Sequence, residues 1–252
     1  MILEVENLSK AFGGVDAVAP LSLAVNKGIT AIIGPNGAGK TTFFNLLSGI
    51  YPPSTGKIRH RGDDITNMSV TQRACRGMQR TFQNLQIFFS MTAVENVMVG
   101  ASRRLHLGVL PSLLAWPSIG RDTRQARAQA EQLMADVGLS AYIGYDADAM
   151  PYGALKRLEI ARALAANPEV LMLDEPAAGL NPRETAAMDD LIRRIAAGGV
   201  TVLLVEHDMK LVMAVSDHVI VLDHGKQIAS GRPEEVRQNP EVIRAYLGEE
   251  VD

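Results

Sequence analysis

Three short stretches hold the residue types that phosphate chemistry needs. Residues 34–42 read GPNGAGKTT, three glycines around a lysine and two threonines, directly after the apolar run Thr30-Ala31-Ile32-Ile33. Glycine has no Cβ and accepts positive φ, so such a loop can turn its backbone N–H groups onto one point, and that nest draws an anion. KTTFFNLLSGI reads as a helix that starts at once, with Phe43, Phe44, Leu46 and Leu47 on its buried side; its unpaired N–H groups and dipole add to the same field. Lys40 can reach the outer phosphates, and the Thr41 hydroxyl suits Mg²⁺. Residues 170–175, VLMLDE, place four apolar residues before Asp174 and Glu175, so both carboxylates emerge at the end of a buried strand, where open α/β sheets bind ligands. Asp174 suits a Mg²⁺ shell, and Glu175 suits a general base that polarises water for attack on a terminal phosphate. Residues 200–208, VTVLLVEHD, repeat the design and bring His207 to the same edge, where a γ-phosphate contact is expected.

These residues need elements to position them. Gly34-x-x-x-x-Gly39-Lys40-Thr41 is the P-loop spacing, in a strand–loop–helix context. ILEVENLSKAF and LSLAV read as strands joined at Gly13-Gly14, TAIIG as the strand feeding the loop, and GKIRHRGDDIT as a short strand and turn. SVTQRACRG reads as helical and MQRTFQ as extended. In RDTRQARAQAEQLMADVG a helical face of Ala126, Ala130, Leu133 and Val137 is expected, and TAVENVMVG has helical spacing too. The Pro- and Gly-rich stretch 108–120 links the two. After about residue 153, helices 183–197 and 208–216 alternate with the apolar strands, and HVIVLDHGKQIASG reads as a hairpin. Near-continuous apolar strands alternating with helices imply a largely parallel, buried sheet. The expected fold is an α/β P-loop NTPase core with a mostly parallel sheet, an antiparallel β subdomain, and a helical subdomain inserted at 84–152 between 1–83 and 153–252.

Composition sets outer bounds. The 252 residues are ample for a large core, and 47% hydrophobic with 21% charged residues is ordinary globular usage. A net charge of −3 gives no bias toward nucleic acid. Arg73, Arg76 and Arg80, and again Arg103 and Arg104, form local clusters that read as solvated faces or a protein contact. The lone Cys75 excludes an internal disulfide. MILEVENLSKAF has acidic residues where a cleavable leader would be basic, and no run of about 20 apolar residues exists, so neither leader nor membrane span is expected.

In order and kind, these motifs resemble the ATP-binding subunit of an ABC transporter over essentially the full length. Gly34, Pro35, Asn36, Gly37, Ala38, Gly39, Lys40, Thr41 and Thr42 match Walker A; 170–175 match Walker B with its catalytic glutamate. Gln83 in RTFQN matches the Q-loop glutamine, which the resemblance assigns to nucleotide and metal. YGALKRLEIARAL, 152–164, resembles the signature and its helix. AAGLNP, 177–182, stands where the D-loop belongs, and His207 where the switch histidine belongs. Phe12 matches the aromatic that stacks on adenine, and Val18 the apolar contact beside it. The resemblance implies ATP and Mg²⁺ as cofactors, with two subunits meeting head to tail. Pro151, Tyr152 and Gly153 would then close over the partner's ATP.

Finer features, RTFQNLQIFFSMTAVENV and the tail GRPEEVRQNPEVIRAYLGEE among them, are similar to the larger ATPase of the branched-chain amino-acid uptake family. That likeness implies an importer of a small polar or amino-acid-like solute. Its expected partners are two transmembrane permease subunits, a second ATPase subunit in a heterodimer or homodimer, and an extracytoplasmic solute-binding protein reached through the permeases. The chain would lie peripherally on the cytoplasmic face of the inner membrane and touch no nucleic acid. Phe88, Phe89 and Met91 read either as the permease contact or as subdomain core. Two departures stand out: Asn181 and Ala178 replace the D-loop aspartate and serine, and Pro151 and Ala154 replace the signature serine and its glutamine or acid. A rival reading is the ATPase of a lipopolysaccharide-type exporter, disfavoured by RTFQN…MTAVENV and the long insert. A soluble ABC ATPase acting on nucleic acid or ribosomes is a more distant one, since the chain has a single cassette, one cysteine and no heptad run.

Overall fold

The computed structural model describes residues 1–101 and 117–247. Arg103, Arg104, the linking stretch up to residue 116 and the last residues of the tail lie outside this range. The chain groups into two compact units. One comprises Met1–Arg80, Glu169–Ala178 and Thr185–Asp252; the other comprises Thr81–Pro168 and Gly179–Glu184.

The first unit holds two sheets. β1 (Leu3–Phe12), β2 (Val15–Val25), β4 (Thr55–His60) and β5 (Asp63–Asp64) form an antiparallel sheet in the order β2-β1-β4-β5. β3 (Ile29–Ile33), β6 (Met78–Arg80), β7 (Val170–Asp174), β8 (Thr201–Val205), β9 (His218–Asp223) and β10 (Lys226–Gly231) form the second, in the order β10-β9-β3-β8-β7-β6. Every neighbouring pair in it is parallel except the β9–β10 hairpin. All five residues of β3, β7 and β8 are buried, as strands covered on both faces must be. Helix α1 (Lys40–Ser48) follows β3, and its Phe43, Phe44, Leu46 and Leu47 join Leu3, Val18, Met172 and Leu203 in one core. Helix α2 (Val70–Cys75) opens on a capping box between Ser69 and Gln72 and ends at the exposed Cys75.

Two of the three neighbouring arginines are not solvated. Arg73 is 2% exposed. Its guanidinium donates to the carbonyls of Leu46 and Leu47 at 2.6 and 2.8 Å, and also to those of Thr66 and Met68. It therefore closes the C-terminal end of α1, where a cation meets the negative end of the dipole; burial lowers its pKa to about 10. The Arg80 side chain is nearly inaccessible as well, at 7% exposed. Only Arg76 fits the expected surface reading, paired with Asp63 at 2.5 Å.

In the second unit, α3 (Ala93–Ala101), α4 (Pro117–Asp136) and α5 (Tyr152–Ala165) pack together. This unit is larger than the insert expected at 84–152, because α5 packs on α3. The buried positions of α4 and its end are Ala126, Ala130, Met134 and Val137. Met134 stands where Leu133 was expected, since positions three and four residues on share a helical face and the neighbours chose the fourth. Short 3₁₀ turns at Ser140–Tyr142 and Ala147–Ala149 lead to α5. Helices α6 (Pro182–Ala197), α7 (Met209–Val215), α8 (Pro233–Arg237) and α9 (Pro240–Leu247) complete the described chain.

Candidate functional site

Three adjacent parallel strands, β3, β8 and β7, deliver the chemistry from their C-terminal ends. After β3 the loop turns tightly under its neighbours. Gly34 has φ +151°, and a Cβ there would sit 1.9 Å from the Leu222 carbonyl oxygen; Gly39, φ +94°, would meet the Ala17 carbonyl at 2.4 Å. No side chain can occupy either position. Gly39 leads directly into α1, and no side chain caps the first turn. The Lys40 ammonium lies back across its own loop, donating to the carbonyl oxygens of Gly34 (2.5 Å) and Pro35 (2.8 Å). Pro35 and Ala38 are buried; Asn36, Gly37 and Thr41 are exposed, with Thr42 between.

Asp174 closes β7 opposite Val205 of β8. It is buried and receives a hydrogen bond from Arg80 Nη2 at 2.7 Å. Glu175, the next residue, has φ +48°, a left-handed conformation rare for a long side chain, with its N–H on the Val205 carbonyl at 2.9 Å. His207 Nδ1 stands 3.9 Å from Glu175 Oε1 and 3.9 Å from Glu206 Oε2. Glu206 is 1% exposed. Its two oxygens accept the N–H groups of Ala177 (3.0 Å) and His207 (3.2 Å), joining the segments that follow β7 and β8. Burial raises the pKa of Glu206 despite these bonds.

Phe12 ends β1 half-exposed, edge-on to Tyr51 at 5.4 Å, with the Lys10 ammonium 5.2 Å from its ring centroid. Val18 is fully buried in the core, so it does not extend the open face of Phe12.

The second unit holds the remaining candidates. Pro151 and Tyr152 are exposed at the start of α5, with Pro151 in extended conformation just before it and no side chain capping the turn. Gly153 is buried; a Cβ there would lie 2.5 Å from Glu184 Oε1. Glu184 in turn accepts the Asn181 N–H, while Asn181 Oδ1 accepts those of Arg183 and Glu184, all at 3.0 Å. Asparagine ranks with aspartate as an N-cap, so Asn181 keeps the capping bonds at the start of the helix that follows. Gln83 is exposed on a segment held by α5. Its carbonyl accepts Lys156 Nζ at 3.4 Å, and the buried Glu159 accepts the N–H groups of Phe82 and Gln86.

The arrangement on the first unit is that of known nucleotide-binding proteins. The family described as "ABC transporter" matches residues 18–178, and the family described as "Branched-chain amino acid ATP-binding cassette transporter" matches 226–252. The chain belongs to the ABC transporter family. It is 47% identical, over 98% of both chains, to the high-affinity branched-chain amino acid transport ATP-binding protein BraF of Pseudomonas aeruginosa. It is 44% identical, again over 98% of both, to LivG of Escherichia coli, which carries the same description. The lipopolysaccharide export system ATP-binding protein LptB of Haemophilus influenzae is more distant, at 35% over 99% of this chain and 98% of that one. Among solved structures, the ADP conformation of an ATP-binding cassette of an ABC transporter superposes with a TM-score of 0.85 at 33% identity, covering 98% of each chain. As a member of this family the chain is a transporter ATPase subunit.

The sequence reading took Arg80 for a surface charge and passed over Glu206. Each had a signal: an arginine ending the extended MQR, and an acid following four apolar strand residues. A charge at the end of a covered strand must be bonded to something. As for a metal, no group of three or more acidic, histidine or cysteine side chains arranged to hold an ion is found among the described residues. A hydroxyl and a carboxylate, Thr41 and Asp174, are hard oxygen donors, and Mg²⁺ is commonly held by so few protein ligands when phosphates and waters supply the rest.

Proposed function

We propose that this cassette binds ATP with Mg²⁺ at Gly34–Thr42 and hydrolyses it to power import of a branched-chain amino acid or a related small polar solute. The observation that carries this reading is the 47% identity over 98% of both chains to a branched-chain amino acid transport ATP-binding protein. The backbone of the loop and the start of α1 cradle the phosphates. The Lys40 ammonium exchanges two loop carbonyls for phosphate oxygens. Thr41 and Asp174 would hold Mg²⁺, with Gln83 assigned to it by the family resemblance, and the ion would neutralise phosphate charge. Glu175 positions and polarises the attacking water, and His207, beside it, stabilises the transferred phosphoryl group. Phe12 stacks on adenine. Pro151, Tyr152 and Gly153 close over the ATP of a second ATPase subunit in a heterodimer, so each chain supplies half of each site. Closure drives two permease subunits between inward- and outward-facing states.

No helix among the described residues is long and apolar enough to cross a membrane. The cassette sits peripherally on the cytoplasmic face, with the exposed Phe88 and Phe89 against the permeases; Met91 is half-buried. An extracytoplasmic binding protein selects the solute. Reconstitution with the permeases and second ATPase in lipid nanodiscs tests this. ATPase turnover should rise several-fold with binding protein loaded with a branched-chain amino acid. Stimulation by lipopolysaccharide, and none by any loaded binding protein, would overturn import in favour of export.

A further inference from the structure

We infer that Arg80 is the positioning residue of the metal-binding carboxylate: it sets Asp174 in register with the helix face that carries Thr41. The inference rests on the proposed assignment of Asp174 and Thr41 to Mg²⁺. Arg80 ends β6, the edge strand beside β7. Its Nη2 donates to Asp174 Oδ2 at 2.7 Å, and both side chains are under 8% exposed. Its Nη1 donates to Asn45 Oδ1 at 2.7 Å and to Ser48 Oγ at 3.0 Å. The guanidinium carbon lies 5.5 Å from the centroid of the Phe44 ring. One rigid planar group is thus bonded to the end of β7 and to α1 together.

The positions on α1 matter. Thr41, Asn45 and Ser48 are spaced i, i+4 and i+7, which places them on one helical face. Arg80 grips that face by its second and third members, and Thr41 is the first. A carboxylate alone at a strand end can rotate about its terminal torsion, which is broad. Bonded to a fixed guanidinium through one oxygen, it keeps one plane. Arginine provides this where lysine cannot, because its fork bonds two partners in fixed directions. Metal ligands are commonly oriented by such outer partners, and losing one costs about 10- to 100-fold in metal affinity or activity.

The test is binding of a fluorescent ATP analogue to the full chain, in EDTA and across a Mg²⁺ titration, with Arg80→Met, Arg80→Lys, Asn45→Ala and Asp174→Asn. In Arg80→Met, affinity in EDTA should stay within about twofold, while the Mg²⁺ concentration giving half the affinity gain rises about tenfold. Arg80→Lys and Asn45→Ala should shift it in the same direction by less. An unshifted Mg²⁺ midpoint in folded Arg80→Met overturns the inference and leaves a purely structural ion pair. If that variant does not fold, unshifted midpoints in Arg80→Lys and Asn45→Ala do the same. A full Mg²⁺ gain in Asp174→Asn instead removes the metal assignment beneath it, so the two failures are distinguishable.

Discussion

Helices α1 and α5 begin alike and are built differently. Both lack a side-chain cap, so the first-turn N–H groups of each are left to another acceptor. At α1 the approach is made by tertiary contact: Gly34 and Gly39 run so close to the Leu222 and Ala17 carbonyls that no side chain fits, and Lys40 lies over the loop. At α5 the approach is the exposed Pro151, and the turn is shaped by one side chain, Glu184, packed on Gly153. The cations beside this turn are engaged elsewhere, Lys156 with the Gln83 carbonyl and the Tyr152 ring, Arg157 with the carbonyls of Gly153 and Gly138. One helix start is a whole anion site with its own charge. The other offers N–H groups with its neighbouring cations turned to backbone carbonyls, which suits the proposed role of completing a site on another subunit.

Breaking the stronger start should cost most. Lys40→Ala removes its cation; ATP affinity should fall at least tenfold and transport should vanish, read by nucleotide titration and solute uptake. Unchanged affinity would sink the P-loop assignment. Glu175→Gln should leave ATP bound and slow turnover about 10²-fold or more, the usual contribution of a positioned base. In the reconstituted complex it is predicted to cost more than the same change in the second ATPase, because Pro151 has no hydroxyl to donate to the ATP of the opposite site. Equal losses would dissolve the asymmetry. Gly153→Ala sharpens the other side of the comparison. Its Cβ must displace Glu184 and with it the Asn181 bond, so ATP-driven dimerisation should weaken about tenfold with a Tm lower by a few degrees. Pro151→Ser should have the smallest effect. It adds a hydroxyl that can donate to a partner's phosphate, a bond of roughly 1.5–3 kcal/mol, part of which the N–H groups of α5 already supply. A two- to fivefold stronger ATP-bound dimer by light scattering is expected, and no change would make Pro151 a neutral variation.

The elements were legible where one residue pattern had one physical solution. VLMLD and VTVLLV are apolar on both faces and became the covered β7 and β8, and GPNGAGKTT admits few readings after a strand. What was not legible depended on partners distant in the chain. Arg73 and Arg80 look like surface charge until Leu46, Leu47, Asn45 and Asp174 are folded around them. The family resemblance reads Val18 as a nucleotide contact, yet an irregularity in the β1–β2 pairing between Leu21 and Val18 breaks the strict alternation and turns Val18 into the core. Leu133 and Met134 are equivalent by period, and only the packing of α4 separates them.

The left-handed backbone of Glu175 has a consequence for how this cassette could evolve. Glycine or asparagine adopts that conformation with less strain than glutamate. Selection for heat resistance alone would therefore favour replacing the very residue proposed to activate water. Lineages that keep glutamate there forgo about 1 kcal/mol or more of stability and must recover it elsewhere, in places such as the arginine plug behind α1. A directed-evolution campaign run without an activity filter should lose Glu175 early and leave Arg73 untouched.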